Sequence, residues 1–269
     1  MKLFKRFFAV ALGALLLCPM TAYADQAEEA RALFREVEEK QTGITDMNAF
    51  YDMKLVLSGN ILKSQGIDTM DMRLEMNVKM NHITDPENMR YMAFTRVTMA
   101  DGSQTESSMY YVDGYSYTEM GGQKIKMPMA LGDMLKQTQA SAGAFNVSEE
   151  LIKDFSLWTE GENRVVGFTV DDSKMQQYLQ MVMGSTGLSG MMNSGDVAVR
   201  NISGQYVVNP SGLCEKMRLK MDMDITVEEQ TLSISLDGDV GFADLGQPVD
   251  VPLPNTAEYT DISTAAQAK

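Results

Sequence analysis

Residues 70–82 read MDMRLEMNVKMNH and alternate apolar with polar side chains at almost every step. Residues 217–228, MRLKMDMDITVE, repeat the pattern. A period of two places every second side chain on the same face of a β-strand, so each segment has a Met-rich apolar face and a charged face. Thioether side chains are flexible and polarizable, and a face built from them can either fit an irregular partner or fill an ordinary core.

The apolar positions of these two segments are the candidate lining of a cavity for an apolar ligand. Each lies on the same parity as its neighbours, which predicts a continuous surface on each strand. The predicted lining residues are Met70, Met72, Leu74, Met76, Met80, Met217, Leu219, Met221 and Met223.

The first 24 residues have the composition of a secretory signal peptide. A basic start precedes the apolar run 7–17, and Ala22-Tyr23-Ala24 matches the cleavage pattern. The run is shorter than the roughly 20 apolar residues that a membrane span needs. We expect cleavage after Ala24, a secreted or cell-envelope protein, and no integral membrane span.

Cys18 offers an alternative, because bacterial lipoproteins are cleaved just before a lipidated cysteine. Leu16 and Leu17 stand where that signal usually has small residues, so lipid anchoring at Cys18 is the less favoured expectation. Without the signal, Cys214 is the only cysteine, and an intramolecular disulfide is not possible.

The charge balance indicates an acidic protein that avoids nucleic acid. The net charge is −14, and loss of the three cations of the signal makes it −17. Such a surface repels nucleic acid and anionic membranes and keeps a protein soluble. The chain after residue 24 is long enough for one large hydrophobic core, and we expect a monomer.

The periodicity of the chain changes along its length. Residues 26–40 predict an amphipathic helix that buries Ala30, Leu33, Phe34 and Val37. From about residue 50 the period is two, and Asp113-Gly114, Gly121-Gly122 and Asp237-Gly238 are turn signals. The expected fold is α+β: a single domain over 25–254 with a strongly curved antiparallel sheet of about ten to eleven strands. The N-terminal helix and a helical insert cover its concave face, and 255–269 form a flexible tail.

The middle of the chain carries helical and irregular signals. Leu131, Met134 and Leu135 predict a short helix, and Asp171 or Asp172 is the candidate N-cap of another. The Gly-rich run 184–195 is a candidate lid, or else a poorly ordered loop. The apolar residues that it carries are Leu188, Met191 and Met192.

This order of elements resembles the LolA/LppX-type lipoprotein-carrier superfamily, especially its uncharacterised secreted or lipoprotein members in Gram-positive bacteria. The hairpin 109–127 is similar to their central hairpin, and 249–254 to their terminal strand. The resemblance implies a curved sheet wrapped around helices with an apolar cavity between them. It also implies transport of acyl chains or lipidated proteins, whereas the neighbours of Cys18 depart from the lipid-anchored pattern.

Signals for catalysis and for cofactors are weak. His82 is the only histidine and predicts packing at a strand end, while Cys214 predicts a small buried residue. Asp237, Asp239 and Asp244 leave a calcium turn as an alternative to a plain β-turn. We therefore expect no enzyme, no cofactor and no transition metal.

Tyr110, Tyr111, Tyr115 and Tyr117 predict an aromatic cluster that either packs across strands or forms a recognition edge. The function that these patterns favour is non-catalytic binding of a lipid, an acyl chain or a lipidated peptide. The alternative is an interaction or sensory module with a filled core, which contacts an envelope protein.

Overall fold

The structure is a computed structural model that describes residues 20–83, 85, 88–130, 132, 147–185, 195–227 and 229–262. Its strands are β1 (Met47–Gly59), β2 (Thr69–Asn81), β3 (Arg90–Met99), β4 (Gln104–Val112), β5 (Tyr115–Met120), β6 (Gln123–Pro128), β7 (Ile152–Glu160), β8 (Asn163–Val170), β9 (Gly195–Val208), β10 (Cys214–Val227), β11 (Gln230–Ala243) and β12 (Thr260–Asp261). The α-helices are α1 (Met20–Thr42), α2 (Asn60–Lys63) and α3 (Asp172–Ser185), and single 3₁₀ turns span Glu149–Leu151 and Thr256–Glu258.

The twelve strands of the described residues form one open curved sheet in the order β12-β6-β5-β4-β3-β2-β1-β11-β10-β9-β8-β7. Neighbouring strands are antiparallel except β12, which lies parallel to β6. The α+β class is confirmed. The expected count of ten to eleven strands omits β12, a two-residue strand. Because β1 pairs with both β2 and β11, the first strand lies in the middle of the sheet.

Helix α1 covers one half of the sheet and supplies the centre of the main core. Ala30, Leu33, Phe34 and Val37 are at most 2 % exposed, which confirms the predicted apolar face. The ring of Phe34 stacks on Tyr206 at 5.1 Å between centroids. Such aromatic contacts add to the free energy of burial and fix how the helix lies on the strands. The helix starts earlier than predicted, at Met20.

The far half of the sheet has its own smaller clusters. Val78, Met80, Met89, Ala93 and Tyr111 form one of them.

Both predicted hairpin turns are confirmed, since Asp113-Gly114 and Gly121-Gly122 join adjacent strands. All four turn residues have positive φ, as a two-residue type I′ turn requires.

The predicted turn at Asp237-Gly238 is wrong, because β11 continues through it without a break. Gly238 lies between Met53 of β1 and Leu219 of β10 in the register. A Cβ atom at this position would lie 3.1 Å from Cγ of Met53. The glycine therefore leaves space for a long side chain from the next strand rather than reversing the chain.

A second glycine has the same role in β9. The sequence predicts two strands, 197–202 and 205–208, but the structure has one, with Gly204 inside it. A Cβ atom on Gly204 would lie 2.2 Å from Cζ of Phe168. Phe168 is 3 % exposed and meets Phe34 and Tyr206 edge to face, so its ring has no free space to move into.

The end of the described chain differs from the predicted boundary at residue 254. The segment 249–254 is not a strand, although Val249 and Val251 are buried, since its two prolines cannot donate to a ladder. Beyond it, Tyr259 is buried and meets Tyr117 edge to face at 5.3 Å. Lys124 Nζ lies 2.6 Å from a carboxylate oxygen of Glu258. Residues 255–262 are thus part of the folded domain.

Three further expectations concern the N-cap of α3, the predicted lid and middle helix, and membrane-spanning helices. Asp171 is the N-cap of α3, because its Oδ1 accepts the backbone N–H groups of Ser173 and Lys174 at 3.0 and 3.1 Å. The predicted lid residues Leu188, Met191 and Met192, and the predicted helix around 131–135 apart from residue 132, lie outside the described residues. None of the described helices is both long and apolar enough to cross a membrane.

The packing of Gly204 against Phe168 gives a testable prediction. Gly204→Ala should lower the free energy of unfolding by about 1–3 kcal/mol, because the added methyl group overpacks a closed aromatic core. The matched control is Gly241→Ala in β11, where an added Cβ meets nothing within 4 Å and φ is not positive. Urea denaturation of both variants measures the difference, and equal midpoints would contradict the role assigned to Gly204.

Candidate functional site

The register of four adjacent strands brings the two predicted Met-rich segments onto one face. Strands β2 and β10 are separated by β1 and β11, and directly paired residues point to the same side of a sheet. The resulting cross-strand rows are Met76–Tyr51–Val240–Met217, Leu74–Met53–Gly238–Leu219, Met72–Leu55–Leu236–Met221 and Met70–Leu57–Ile234–Met223. We call the surface formed by these four rows the apolar face.

Burial divides the predicted lining residues into two groups. Met217 and Leu219 belong to the core cluster under α1 and are 8 % and 2 % exposed. Met80 is equally buried, in the cluster of the far half of the sheet. The remaining six predicted residues are partly exposed: Met70, Met72, Leu74, Met76, Met221 and Met223. The structure therefore places three of the nine in the packed core.

The last two rows form the more open end of the apolar face, which we call the outer zone. It consists of Leu55, Leu57, Met70, Met72, Met221, Met223, Ile234 and Leu236, all of them partly exposed. Helix α3 flanks this zone, because Gln176 Nε2 donates to the carbonyl oxygen of Val197 at 2.5 Å and Val199 pairs with Met223. Short helix α2 closes the end of β1, where the Asn60 side chain bonds to residues 229 and 231.

The apolar face carries no charged side chain in β1, β2, β10 or β11. Tyr51 carries its polar group, and Tyr91 of β3 lies nearby; burial raises the pKa of both phenols, that of Tyr91 to about 12. Both phenols are therefore neutral at physiological pH. A ligand held on this surface meets hydrocarbon, sulfur and neutral hydroxyl groups, and it finds no partner there for a charge.

The opposite face of the same four strands carries the charges, mostly paired across strands. Arg73 bonds to Asp52 at 2.8 Å, and Lys216 and Lys220 lie 2.7 and 3.1 Å from Asp239 and Asp237. Hydrogen bonding to Arg73 lowers the pKa of the Asp52 carboxyl. The calcium alternative loses its support, since two of its carboxylates lie in a continuous strand and pair with lysines. The described residues contain no group of three or more His, Cys, Asp or Glu placed for a metal.

A groove of about 540 Å³ lies on the charged face, away from the predicted lining. Its walls include Trp158, Gln205 and Arg218. Arg218 donates to both carboxylate oxygens of Glu160 at 2.9 Å. These hydrogen bonds, together with one from the Trp158 indole, lower the pKa of Glu160 to about 2. The sequence analysis missed this groove, because the strands that build it come from separate parts of the chain.

The predicted packing of His82 is wrong. The residue follows β2, its φ is 54°, and its side chain is exposed. Its backbone N–H donates to Asp46 Oδ1 at 3.0 Å, so the turn rather than the imidazole is held in place. Alternation puts residue 82 on the apolar parity, but the left-handed backbone ends the strand pattern one residue earlier.

The tyrosines of the hairpin lie on both faces of the sheet. Tyr110 pairs with Tyr117, and Tyr115 lies 6.3 Å from Tyr117 between ring centroids. These three cluster with Tyr259 on the charged face, whereas Tyr111 packs in the cluster of the other face. Cross-strand packing, one of the two predicted roles, is therefore present, and the C-terminal segment is the partner that the sequence analysis missed.

Residues 29–257 match the model of a family of unknown function, DUF6612, and the chain belongs to that family. The crystal structure of the Mycobacterium tuberculosis lipoprotein LppX is similar at 12 % identity and a TM-score of 0.41, with 84 % of this chain and 99 % of that chain covered. A DUF1329 family protein from Desulfovibrio piger is similar at 9 % identity and a TM-score of 0.26, with 88 % and 98 % covered. A β-barrel-like DUF1849 protein from Brucella abortus is similar at 9 % identity and a TM-score of 0.24, with 75 % of this chain and 99 % of that chain covered. No curated protein matches the chain.

The environment of Cys214 gives a prediction about its reactivity. The residue is 1 % exposed, and burial raises the pKa of its thiol to about 12. Because the thiolate is the reactive form, a chain starting at Asp25 should label with a maleimide only on unfolding. Mass spectrometry in buffer and in urea measures this, and rapid stoichiometric labelling of the folded chain would show that the site is open.

Proposed function

We propose that this chain is an extracytoplasmic, non-catalytic binding protein that holds a lipid, an acyl chain or a lipidated peptide on its apolar face. The observation that carries the proposal is the outer zone: eight partly exposed aliphatic and Met side chains, contiguous across four strands. Contiguous exposed apolar surface of this kind in a secreted protein is typical of a binding site.

The chemistry of the outer zone selects a flexible hydrocarbon. Burial of apolar ligand surface is worth about 25 cal/mol per Å², and four methionines can adjust their three side-chain torsions to an irregular chain. A charged headgroup has no partner on this face, so it stays at the solvent edge while the hydrocarbon lies across the strands. Membership of the LolA/LppX-type carrier superfamily is part of the same proposal.

The location and the partners follow from the signal-like N-terminus. Cleavage after Ala24 releases a soluble acidic carrier, and a lipid on Cys18 would instead tether it to the membrane surface. In both cases the protein acts outside the cytoplasm as a monomer. An envelope protein that delivers or receives the ligand would meet the molecule near the outer zone, where the ligand leaves.

The test is native mass spectrometry of residues 25–269 after secretion, with solvent extraction of any bound lipid. We expect a lipid mass in the wild-type spectrum. Met221→Asp or Met72→Asp should lower its occupancy by about a hundredfold, because each places an unpaired carboxylate against the hydrocarbon. Met221→Asp should lower lipid occupancy more than Met72→Asp, because Met221 packs against the core cluster.

Val56→Asp is the matched control, because Val56 is 40 % exposed on the opposite face of β1. It should leave lipid occupancy unchanged, as should Lys79→Ala on the same charged face. Circular dichroism shows whether each variant folds. A wild-type chain that remains free of lipid after incubation with membrane lipids would contradict the proposal and favour an interaction module with a filled core.

A further inference from the structure

We propose that Met70, Met72, Met221 and Met223 form a site of reversible oxidation by hydroperoxides, and that oxidation there releases the apolar ligand. This inference rests on the proposed function, because it describes how the same site is regulated. It arises from three features of the described chain: how exposure is distributed among the methionines, which side chains surround them, and where the thiol lies.

The first feature is a difference in access between two sets of methionines on the side of the sheet that carries the apolar face. Met53, Met80, Met89 and Met217 are 3–8 % exposed. The four methionines of the outer zone are partly exposed. Oxidation requires the oxidant to contact the sulfur, so the outer-zone sulfurs should react before the core sulfurs, and the fold should survive the reaction.

The reaction balances with a hydroperoxide as the oxidant. The thioether sulfur attacks the distal oxygen of the hydroperoxide, the O–O bond breaks, and an S=O bond forms while the proton of that oxygen passes to the departing oxygen, which leaves as water or an alcohol. The sulfur loses two electrons and the hydroperoxide gains them. The product replaces a flexible apolar group with a polar, chiral sulfoxide.

The second feature is that the described residues of the outer zone that surround the four sulfurs carry no side-chain hydrogen-bond donor. Their neighbours in the cross-strand rows are Leu55, Leu57, Ile234 and Leu236, and the flanking strands pair Met99 with Met72 and Val199 with Met223. A sulfoxide oxygen there can bond to water while the zone is open, but a bound hydrocarbon would strip that water away. The cost falls on the ligand-bound state alone, so oxidation shifts the equilibrium toward release.

The third feature is the position of the thiol. Return to the thioether consumes two thiols, which become a disulfide as the sulfoxide oxygen leaves in water. Cys214 is 1 % exposed in the core under α1, so the described chain offers no accessible reductant. The reductant must be an external dithiol system of the methionine sulfoxide reductase class.

The experiment uses residues 25–269 and dansyl-undecanoic acid, a fluorescent fatty acid, as the probe. The protein is treated with increasing hydrogen peroxide, peptide mass spectrometry maps the oxidised methionines, and fluorescence titration measures probe affinity. We expect oxidation at the four outer-zone residues before the core methionines. Probe affinity should fall by about tenfold or more in parallel, and treatment with a methionine sulfoxide reductase should restore it.

Two variants separate the site from general damage. The quadruple variant Met70→Leu, Met72→Leu, Met221→Leu and Met223→Leu keeps the apolar area and should bind the probe before and after peroxide. Met120, at 58 % exposure, lies outside the outer zone and should oxidise early. Met120→Leu should therefore leave the peroxide sensitivity of binding unchanged.

The outcomes are distinct. If the untreated wild-type chain does not bind the probe, the proposed function fails. If it binds and oxidation of the four residues leaves affinity unchanged, the present inference is overturned while the binding function stands. Equal loss of binding in the wild type and in the folded quadruple-Leu variant also overturns it. Circular dichroism tests whether the quadruple variant folds. If it does not, the double variant Met72→Leu, Met221→Leu replaces it, and binding of the probe by this variant should be half as sensitive to peroxide as in the wild type.

Discussion

The pairing of β1 with β2 on one side and β11 on the other is the constraint on which the rest of the structure depends. Relative to β1, a one-residue shift of the β1–β2 pair would move the methionines of β2 to the charged face, and a shift of the β1–β11 pair would do the same to those of β10. The ion pairs on the opposite side share this register, because Arg73 meets Asp52 only when Met72 meets Leu55. Exposed pairs of this kind contribute little free energy, so their effect is to disfavour other registers rather than to stabilise this one.

Helix α1 then determines which part of that face is packed core and which part is the candidate site. Its side chains stack on Tyr206 and pack against β7 and β8, so burial falls off along the strands toward the outer zone. The buried rows hold the sheet against the helix, and the last two rows contribute less to that core. This division explains how one repeating pattern of residues can supply both stability and the surface that we propose for a ligand.

Alternation in the sequence was sufficient to predict most of the strands, their faces and the amphipathic helix, because each depends on residues close together in the chain. It was not sufficient where distant residues decide the outcome. Asp237-Gly238 has the composition of a turn, but the partner that requires a glycine there is Met53, on a strand from the other end of the chain. The composition around Tyr259 predicts a polar tail, but in the fold its ring packs against Tyr117 of the hairpin, which is distant in the chain. The groove beside Trp158 is likewise formed by strands from separate segments.

The same separation of short-range and long-range information applies to the candidate site. Parity placed all nine predicted residues on one side of the sheet, yet it could not tell Met217, which is buried in the core cluster under α1, from Met221, which is partly exposed and packs against that cluster. A face without charges also has a consequence for selectivity. In the proposed function this face accepts any hydrocarbon that fits, so discrimination between ligands must come from the edges of the outer zone, where a headgroup would meet water and polar side chains. A change at that edge would alter which lipid is preferred, whereas a polar group introduced among the four methionines would weaken binding of every lipid alike.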